Sequence, residues 1–366
     1  MRPFLLILAL CALIGRQAVS CASMLRHPYG KLAIASESAA VVWDERTHNE
    51  YFIRRADFQT DEEDIGFLVP TPNRPRLTAA SDTALTALED SIRPKTIYRT
   101  ETHYFPASIL YMQWLGETKT SSLHAAASVT VLEEARVGGY DAAVLRADDA
   151  HALTRWLRTH GYLGRPEVEK WLSSYVRRHW VITAFKVGRN DEATSELHLQ
   201  PICMAFHAER PFYPYSEPRD LAAPANATPA RLLRVFVIAN GRMGGSLEGD
   251  PLSWPGNTVK ARPWIEDGGT SIVPTAEICK ALSIPPSALS ASAWMTAFED
   301  RSSPRPGVAD LVFTPAAQQI PVEPAPEIHV EHETKWIWID PFIAGAIVVI
   351  VVVRRRRTRI AAPRES

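Results

Sequence analysis

Val129 to Tyr162 reads VTVLEEARVGGYDAAVLRADDAHALTRWLRTHGY. Two apolar-rich runs, Val129 to Val137 and Tyr140 to Leu145, flank Gly138-Gly139. A two-residue glycine loop suits the positive-φ turns that close hairpins. Asp148 and Asp149 then stand where a helix N-cap is wanted, ahead of Leu153, Trp156, Leu157 and His160 on one stripe, with Gly161 at the C′ position. A hairpin that runs into a capped helix, rather than strand–helix–strand alternation, points to an α+β fold with largely antiparallel sheets and several packed helices.

The same grammar extends outward. Ala39 to Trp43 and Tyr51 to Arg55 form a hairpin pattern around a polar turn, and Ile65 to Val69 is a third strand stopped by Pro70 and Pro72. Asp82 to Ile92 reads as a helix capped by Ser81. The best helix opens at Pro166 with Glu167 and Glu169 in its first turn. Its stripe is Val168, Trp171, Leu172, Tyr175, Val176 and His179, with Arg177 and Arg178 at the C-terminal turn. Strands are expected at Trp180 to Val187, Leu197 to Phe206 and Leu232 to Ala239. Gly241 to Trp264 reads as loop, Thr275 to Leu282 and Ser290 to Phe298 as helices, and Asp310 to Phe313 as a closing run. Two subdomains, near 23–120 and 121–314, are expected within the region 23–314.

Both ends carry address signals. Residues 1–22 have a positive start at Arg2, twelve almost wholly apolar residues from Phe4 to Gly15, and small residues Ala18, Ser20 and Ala22. That is the pattern of a signal peptide, cleaved after Ala22 or after Ser20. Cys21 raises lipidation, but Ala18, Gln17 and Arg16 make a poor lipobox. At the other end, residues 336–353 read WIWIDPFIAGAIVVIVVV. Eighteen residues make about 27 Å of helix, enough for a thin bilayer, so a C-terminal transmembrane helix is expected. Trp336 and Trp338 suit the outer headgroup region, and Arg354, Arg355, Arg356 and Arg357 suit the cytoplasmic side, leaving 354–366 as a basic cytoplasmic tail. Residues 315–335 hold Pro315, Pro321, Pro324 and Pro326 and read as a stalk. The expected address is the cell membrane, single-pass, with the N-terminal bulk outside and the lipid bilayer as partner. A cleaved C-terminal sorting signal is the alternative.

The total charge of −1 includes +5 from the tail and +2 from the leader, leaving −8 between them. An acidic body excludes nucleic acid as the expected partner. Cys203 and Cys279 are left in a body read as exported, either as a disulfide or as two buried free thiols.

Three stretches resemble a known family. GFLVPTP (Gly66 to Pro72), the long stretch quoted above, and ADLVFTP (Ala309 to Pro315) are similar to the bacterial family called domain of unknown function 2330. The resemblance covers most of Ala33 to Pro315. It implies an exported, often membrane-anchored bacterial protein, and it carries over no catalytic residue. Relatives often begin with a cysteine/glycine-rich mature terminus, whereas here Cys21 is followed by Ala22, Ser23 and Met24.

Chemistry-bearing motifs are sparse. There is no G-x-S-x-G, H-E-x-x-H, Walker loop or C-x-x-C. His329, Glu331, His332 and Glu333 would suit a metal only if a helix put the histidines on one face. Asp61 to Asp64 lacks calcium-loop spacing, and Asn226-Ala227-Thr228 is a sequon in form. No catalytic, metal or cofactor residue and no cofactor is assigned. A binding or scaffolding module is the first reading, and an extracytoplasmic hydrolase with an unrecognised site is the alternative.

Overall fold

The computed structural model describes residues 23–25, 32–60, 64–106, 136–137, 139–162, 166–188, 196–218, 232–250, 254–264, 275–302, 305–337 and 341–360. The leader at 1–22, the acidic run at 61–63, the sequon at 226–228, Trp338 and the last six residues of the tail lie outside them. The strands are β1 (Ser23–Leu25), β2 (Leu32–Asp44), β3 (Asn49–Thr60), β4 (Asp64–Thr71), β5 (Arg76–Ala79), β6 (Thr96–Pro106), β7 (Arg136–Val137), β8 (Tyr140–Leu145) and β9 (Val181–Gly188). They continue with β10 (Glu196–His198), β11 (Ile202–His207), β12 (Phe212–Tyr213), β13 (Leu232–Asn240), β14 (Met243–Leu247), β15 (Asn257–Pro263), β16 (Ala293–Asp300), β17 (Leu311–Pro315) and β18 (Glu327–Ile337). The helices are α1 (Asp82–Ser91), α2 (Ala150–Thr159), α3 (Pro166–Val176), α4 (Thr275–Leu282) and α5 (Pro341–Ile360). The expected α+β character, mostly antiparallel, is what is found.

The chain divides into two units, and the division does not fall near residue 120. One unit is Met1–Arg93 with Val131–Pro324, and the other is Pro94–Thr130 with Ala325–Ser366. The first cannot be cut near 120 because β2 pairs in parallel with β13, which joins the two halves in one sheet.

That first unit holds an eight-stranded sheet of order β15-β16-β13-β2-β3-β11-β5 with β10 on β3. Beside it are a five-stranded sheet, β1-β4-β9-β8-β7, and a three-stranded one, β12-β17-β14. Period-two alternation sorts side chains to the two faces of each strand. Ala39, Val41 and Trp43 of β2 enter the core between the sheets, where Phe67 and Val69 of β4 and Leu311 and Phe313 of β17 meet them. Ala40 and Val42 face the other way, onto Leu85 and Leu88 of α1 and Ile278 and Leu282 of α4. Leu68 of β4 and Ile182 and Ala184 of β9 face Leu153 and Leu157 of α2 and Val168 and Leu172 of α3. The layers are therefore helix, sheet, sheet, helix.

Three sequence expectations fail, the first because a strand buried on both faces loses its alternation. Ser290 to Phe298 is not a helix. Ala293–Asp300 is β16, whose Ala293, Met295 and Ala297 enter the helix-side core while Phe298 enters the other. Leu197 to Phe206 is two strands, β10 and β11, parted around Pro201. The glycine-rich stretch from Gly241 is not loop throughout, since it contains β14 and β15. Gly245 and Gly256 lie under the Trp254 indole, so closely that a Cβ at either position would overlap the ring.

In the second unit β6 and β18 form a two-stranded parallel ribbon, followed by α5. The expected stalk therefore ends in a paired strand. The expected helix at 336–353 is also corrected: Trp336 and Ile337 finish β18, and α5 opens at Pro341, a favoured first helical position. Arg354–Arg357 lie inside α5, so its apolar part is Pro341–Val353. No helix among the described residues is long and apolar enough to cross a membrane.

Candidate functional site

A cleft of about 530 Å³ opens in the first unit between the end of α3, the β11–β12 turn, the end of β14 and the start of β17. Its floor is made by a helix ending. His179 takes a left-handed φ of 57°. The Trp180 N–H donates to the Tyr175 carbonyl (3.0 Å) and the His179 N–H to that of Val176 (2.9 Å). This Schellman closure reverses the chain, so Trp180 leads into β9 and Arg178 folds back over the ring it has just passed. The Arg178 guanidinium lies 4.3 Å from the Trp180 ring centroid and 4.9 Å from that of Tyr175. Phe212 meets Trp180 edge-on at 5.1 Å, so the indole is boxed and the guanidinium is its outward face.

Charge is arranged in tiers. Arg178 donates through Nη1 to Glu248 Oε2 (3.0 Å), through Nη2 to Asp310 Oδ2 (3.5 Å) and through Nε to the Ser174 carbonyl (3.3 Å). Arg210 Nη2 donates to Glu248 Oε1 (2.8 Å). Glu248 thus bridges two guanidiniums, one oxygen to each. Below it Asp310 is buried, and its Oδ1 accepts from the Tyr175 hydroxyl (2.8 Å) and the Ser216 N–H (3.1 Å). Burial pushes the Asp310 carboxyl above the ordinary range, although those two donors and Arg178 pull it down. The same burial, with Asp310 beside it, pushes the Tyr175 phenol up. His207, Glu209 and Asn73 complete the rim, and among the described residues no serine, threonine or cysteine lines the cleft. The His207 ring meets that of His48 (centroids 6.0 Å apart).

A second constellation is sealed between the sheets. Arg54 Nε and the Tyr213 hydroxyl both donate to Glu37 Oε1 (2.6 Å each), with Arg305 Nη1 at 3.9 Å from Oε2. The Tyr215 hydroxyl donates to Asp300 (2.6 Å). Burial opposes the Arg305 charge, but Glu217, Glu37, Tyr213 and Asp300 outweigh it and hold the guanidinium's pKa up. With Glu37 and the Arg54 and Arg305 side chains all under a tenth exposed, the cluster ties β2, β3 and β12 together rather than facing a ligand.

The singled-out residues fall elsewhere. Cys203 and Cys279 are both buried free thiols in the core under α1 and α4. Burial pushes the Cys203 thiol up to about 11 and raises that of Cys279, so both are unreactive. His329 and His332 lie on β18, where a spacing of three puts them on opposite faces, which removes the basis for a metal pair. Trp336 ends that strand, while Arg354, Arg355 and Arg356 are exposed on α5, which also contains Arg357. The sequence reading missed the cleft, whose charged residues come from four separated places in the chain. The one local signal was an arginine two residues before a tryptophan at a helix end.

Comparisons with known proteins reach two of the three fragments that carried the resemblance, GFLVPTP and Val129 to Tyr162, while ADLVFTP lies beyond the matched residues. The family model for domain of unknown function 2330, described as "Uncharacterized protein conserved in bacteria", matches residues 16–248. No curated protein matches the chain. Among solved structures, the crystal structure of baculovirus P35 is similar over 78% of this chain and 98% of that chain, at 6% identity. Its TM-score is 0.34, too low for a common fold to be read from it.

Proposed function

The chain belongs to the domain of unknown function 2330 family, proteins conserved in bacteria, and on that footing we propose that it is a membrane-attached binding module of the cell envelope. The cleft carries the binding half of this reading. A guanidinium clamped on an indole, with its direction fixed by two carboxylates and a carbonyl, is a pre-organised recognition group. Among the described residues, the central carboxylates of the lining, Glu248 and Asp310, are held by Arg178, Arg210 and Tyr175, which supports binding over the hydrolase alternative.

Attachment rests on α5. Val348 to Val353 are 45–61% exposed, and no polar residue interrupts Phe342 to Val353. A helix apolar all round is stable only where something apolar covers it. Its apolar part spans about 20 Å at 1.5 Å per residue, short of a ~30 Å hydrocarbon layer, so on this reading it crosses a locally thinned bilayer, with Arg354–Arg357 snorkelling to the phosphates on the cytoplasmic side.

Ligand-observed NMR of the detergent-solubilised chain against peptide and glycan fragments of the envelope tests the binding half. Hits should disappear in Arg210→Ala and survive in Arg177→Ala, and hits indifferent to both would end it. For attachment, a reporter active only in the cytoplasm should work fused after Ser366 and fail fused near Glu327. The reverse pattern overturns the orientation, and recovery of the full-length chain in the soluble fraction overturns attachment.

A further inference from the structure

Resting on the binding reading, we propose that the cleft takes a ligand bearing one carboxylate, and that Glu248 is a built-in competitor holding that seat until the ligand displaces it. The seat is defined by two donors. Arg178 Nη1 and Arg210 Nη2 approach the two oxygens of Glu248 at 3.0 and 2.8 Å, so a single carboxylate fits between them. Arg178 keeps its place without Glu248. It is stacked on Trp180 and Tyr175, tied by Nε to Ser174, and aimed by Nη2 at Asp310.

Glu248 is the movable member. Its side chain is 39% exposed, and it is followed by Gly249 at a φ of 84°. Its backbone N–H stays anchored on the Asp310 carbonyl at 2.8 Å, so vacating the seat needs a rotamer change and no movement of β14. Exposed ion pairs of this kind are worth about 0–1 kcal/mol, so another carboxylate that brings additional contacts displaces it. Phe212 and Val312 offer those contacts as an apolar wall of the cleft. Glu209 on the rim and buried Asp310 disfavour a second anionic group, which limits the ligand to one. A peptide C-terminus and a uronic-acid sugar share this chemistry.

Calorimetry on the full chain in detergent separates the possibilities with three probes: an acetylated tripeptide of uncharged side chains with a free C-terminal carboxylate, the same peptide as its C-terminal amide, and a methyl glucuronoside. The acid peptide or the glucuronoside should bind and the amide should not; whichever binds identifies the source. Glu248→Gln, and Glu248→Ala as its check, should tighten binding about three- to tenfold. Glu209→Gln, a neighbouring carboxylate outside the seat, should change it less than about twofold, and Arg210→Gln should weaken it at least about tenfold. Unchanged or weaker binding in both Glu248 variants overturns the competitor. An amide that binds as well as the acid overturns the carboxylate class while leaving the binding reading intact. Failure of every probe, and of the wider screen, removes that reading as well.

Discussion

Glu50 shows how one buried carboxyl sets a pH dependence for the fold. It is 0% exposed at the start of β3, and its Oε2 accepts from the Phe212 N–H at 2.9 Å, fixing the first residue of β12 beside the cleft. Its Oε1 has no hydrogen-bond partner among the described residues. Burial pushes this carboxyl well above its ordinary value, and the one backbone donor only partly offsets that. A carboxyl whose pKa is raised on folding binds its proton more tightly in the native state. Stability therefore falls as pH rises from the unfolded pKa through the folded one. Gln at this position keeps an acceptor for Phe212 and cannot ionise. Glu50→Gln should match the parent in acid and out-melt it increasingly as pH rises above the ordinary carboxyl range. Thermal melts at a series of pH values measure the gap, and a gap that stays constant with pH would refute the assignment to Glu50. Asp310 has the same sign from the same cause, so the Glu50→Gln variant should still show a decline of its own, weaker than the parent's.

Three of the helices, α2, α3 and α4, end alike, and this was half legible in the sequence. In α2 the Tyr162 N–H reaches back to the Leu157 carbonyl (2.9 Å), and in α4 Ile284 does so to Cys279 (2.9 Å), as Trp180 does in α3. The residue before each is left-handed: Gly161 at 84°, Ser283 at 59° and His179 at 57°. Gly161 announces such a closure, because only glycine adopts this conformation at little cost. His179 does not, and the apolar stripe of α3 reads straight through it, although the helix stops at Val176. The reversal that builds the cleft floor was therefore invisible at the position that makes it. His179 is exposed, which makes the comparison testable. His179→Gly should stabilise the protein by about 0.5–1 kcal/mol by relieving left-handed strain. Gly161→Ala, with no atom within 4 Å of its added Cβ, should cost about 1 kcal/mol for the same reason reversed. Denaturant midpoints at constant slope would show both, and destabilisation by His179→Gly would mean that the imidazole makes a contact that matters.

Across the whole chain, two apolar runs around a polar turn gave away the hairpin of β2 and β3 and the caps gave away α1, because both signals are local. The partner of β6 was hidden because it lies more than 200 residues away in a proline-flanked stretch, and parallel pairing has no turn to mark it. The cleft stayed hidden for a related reason, since four unremarkable polar residues acquire meaning only when sheets from both halves close on each other. The two units also differ in how they satisfy burial. Every residue in the three buried apolar clusters belongs to Met1–Arg93 or Val131–Pro324. In the other unit Ile97, Tyr98, Ile328 and Val330 on the ribbon are 38–68% exposed, as are the valines of α5. A two-stranded ribbon alone is marginal in water, whereas the layered unit carries complete cores of its own. A chain covering 23–93 and 131–324, with a flexible glycine–serine linker replacing 94–130, should therefore fold on its own. It should unfold in one cooperative transition with a melting temperature within about 5 °C of the parent's soluble portion, since no core contact is removed. It should also keep the Arg210-dependent ligand signal, because the residues lining the cleft all lie inside it. A fragment that is collapsed but uncooperative would show that the ribbon contributes stability the burial pattern does not reveal. A cooperative fragment without the ligand signal would show that the binding surface extends beyond this unit.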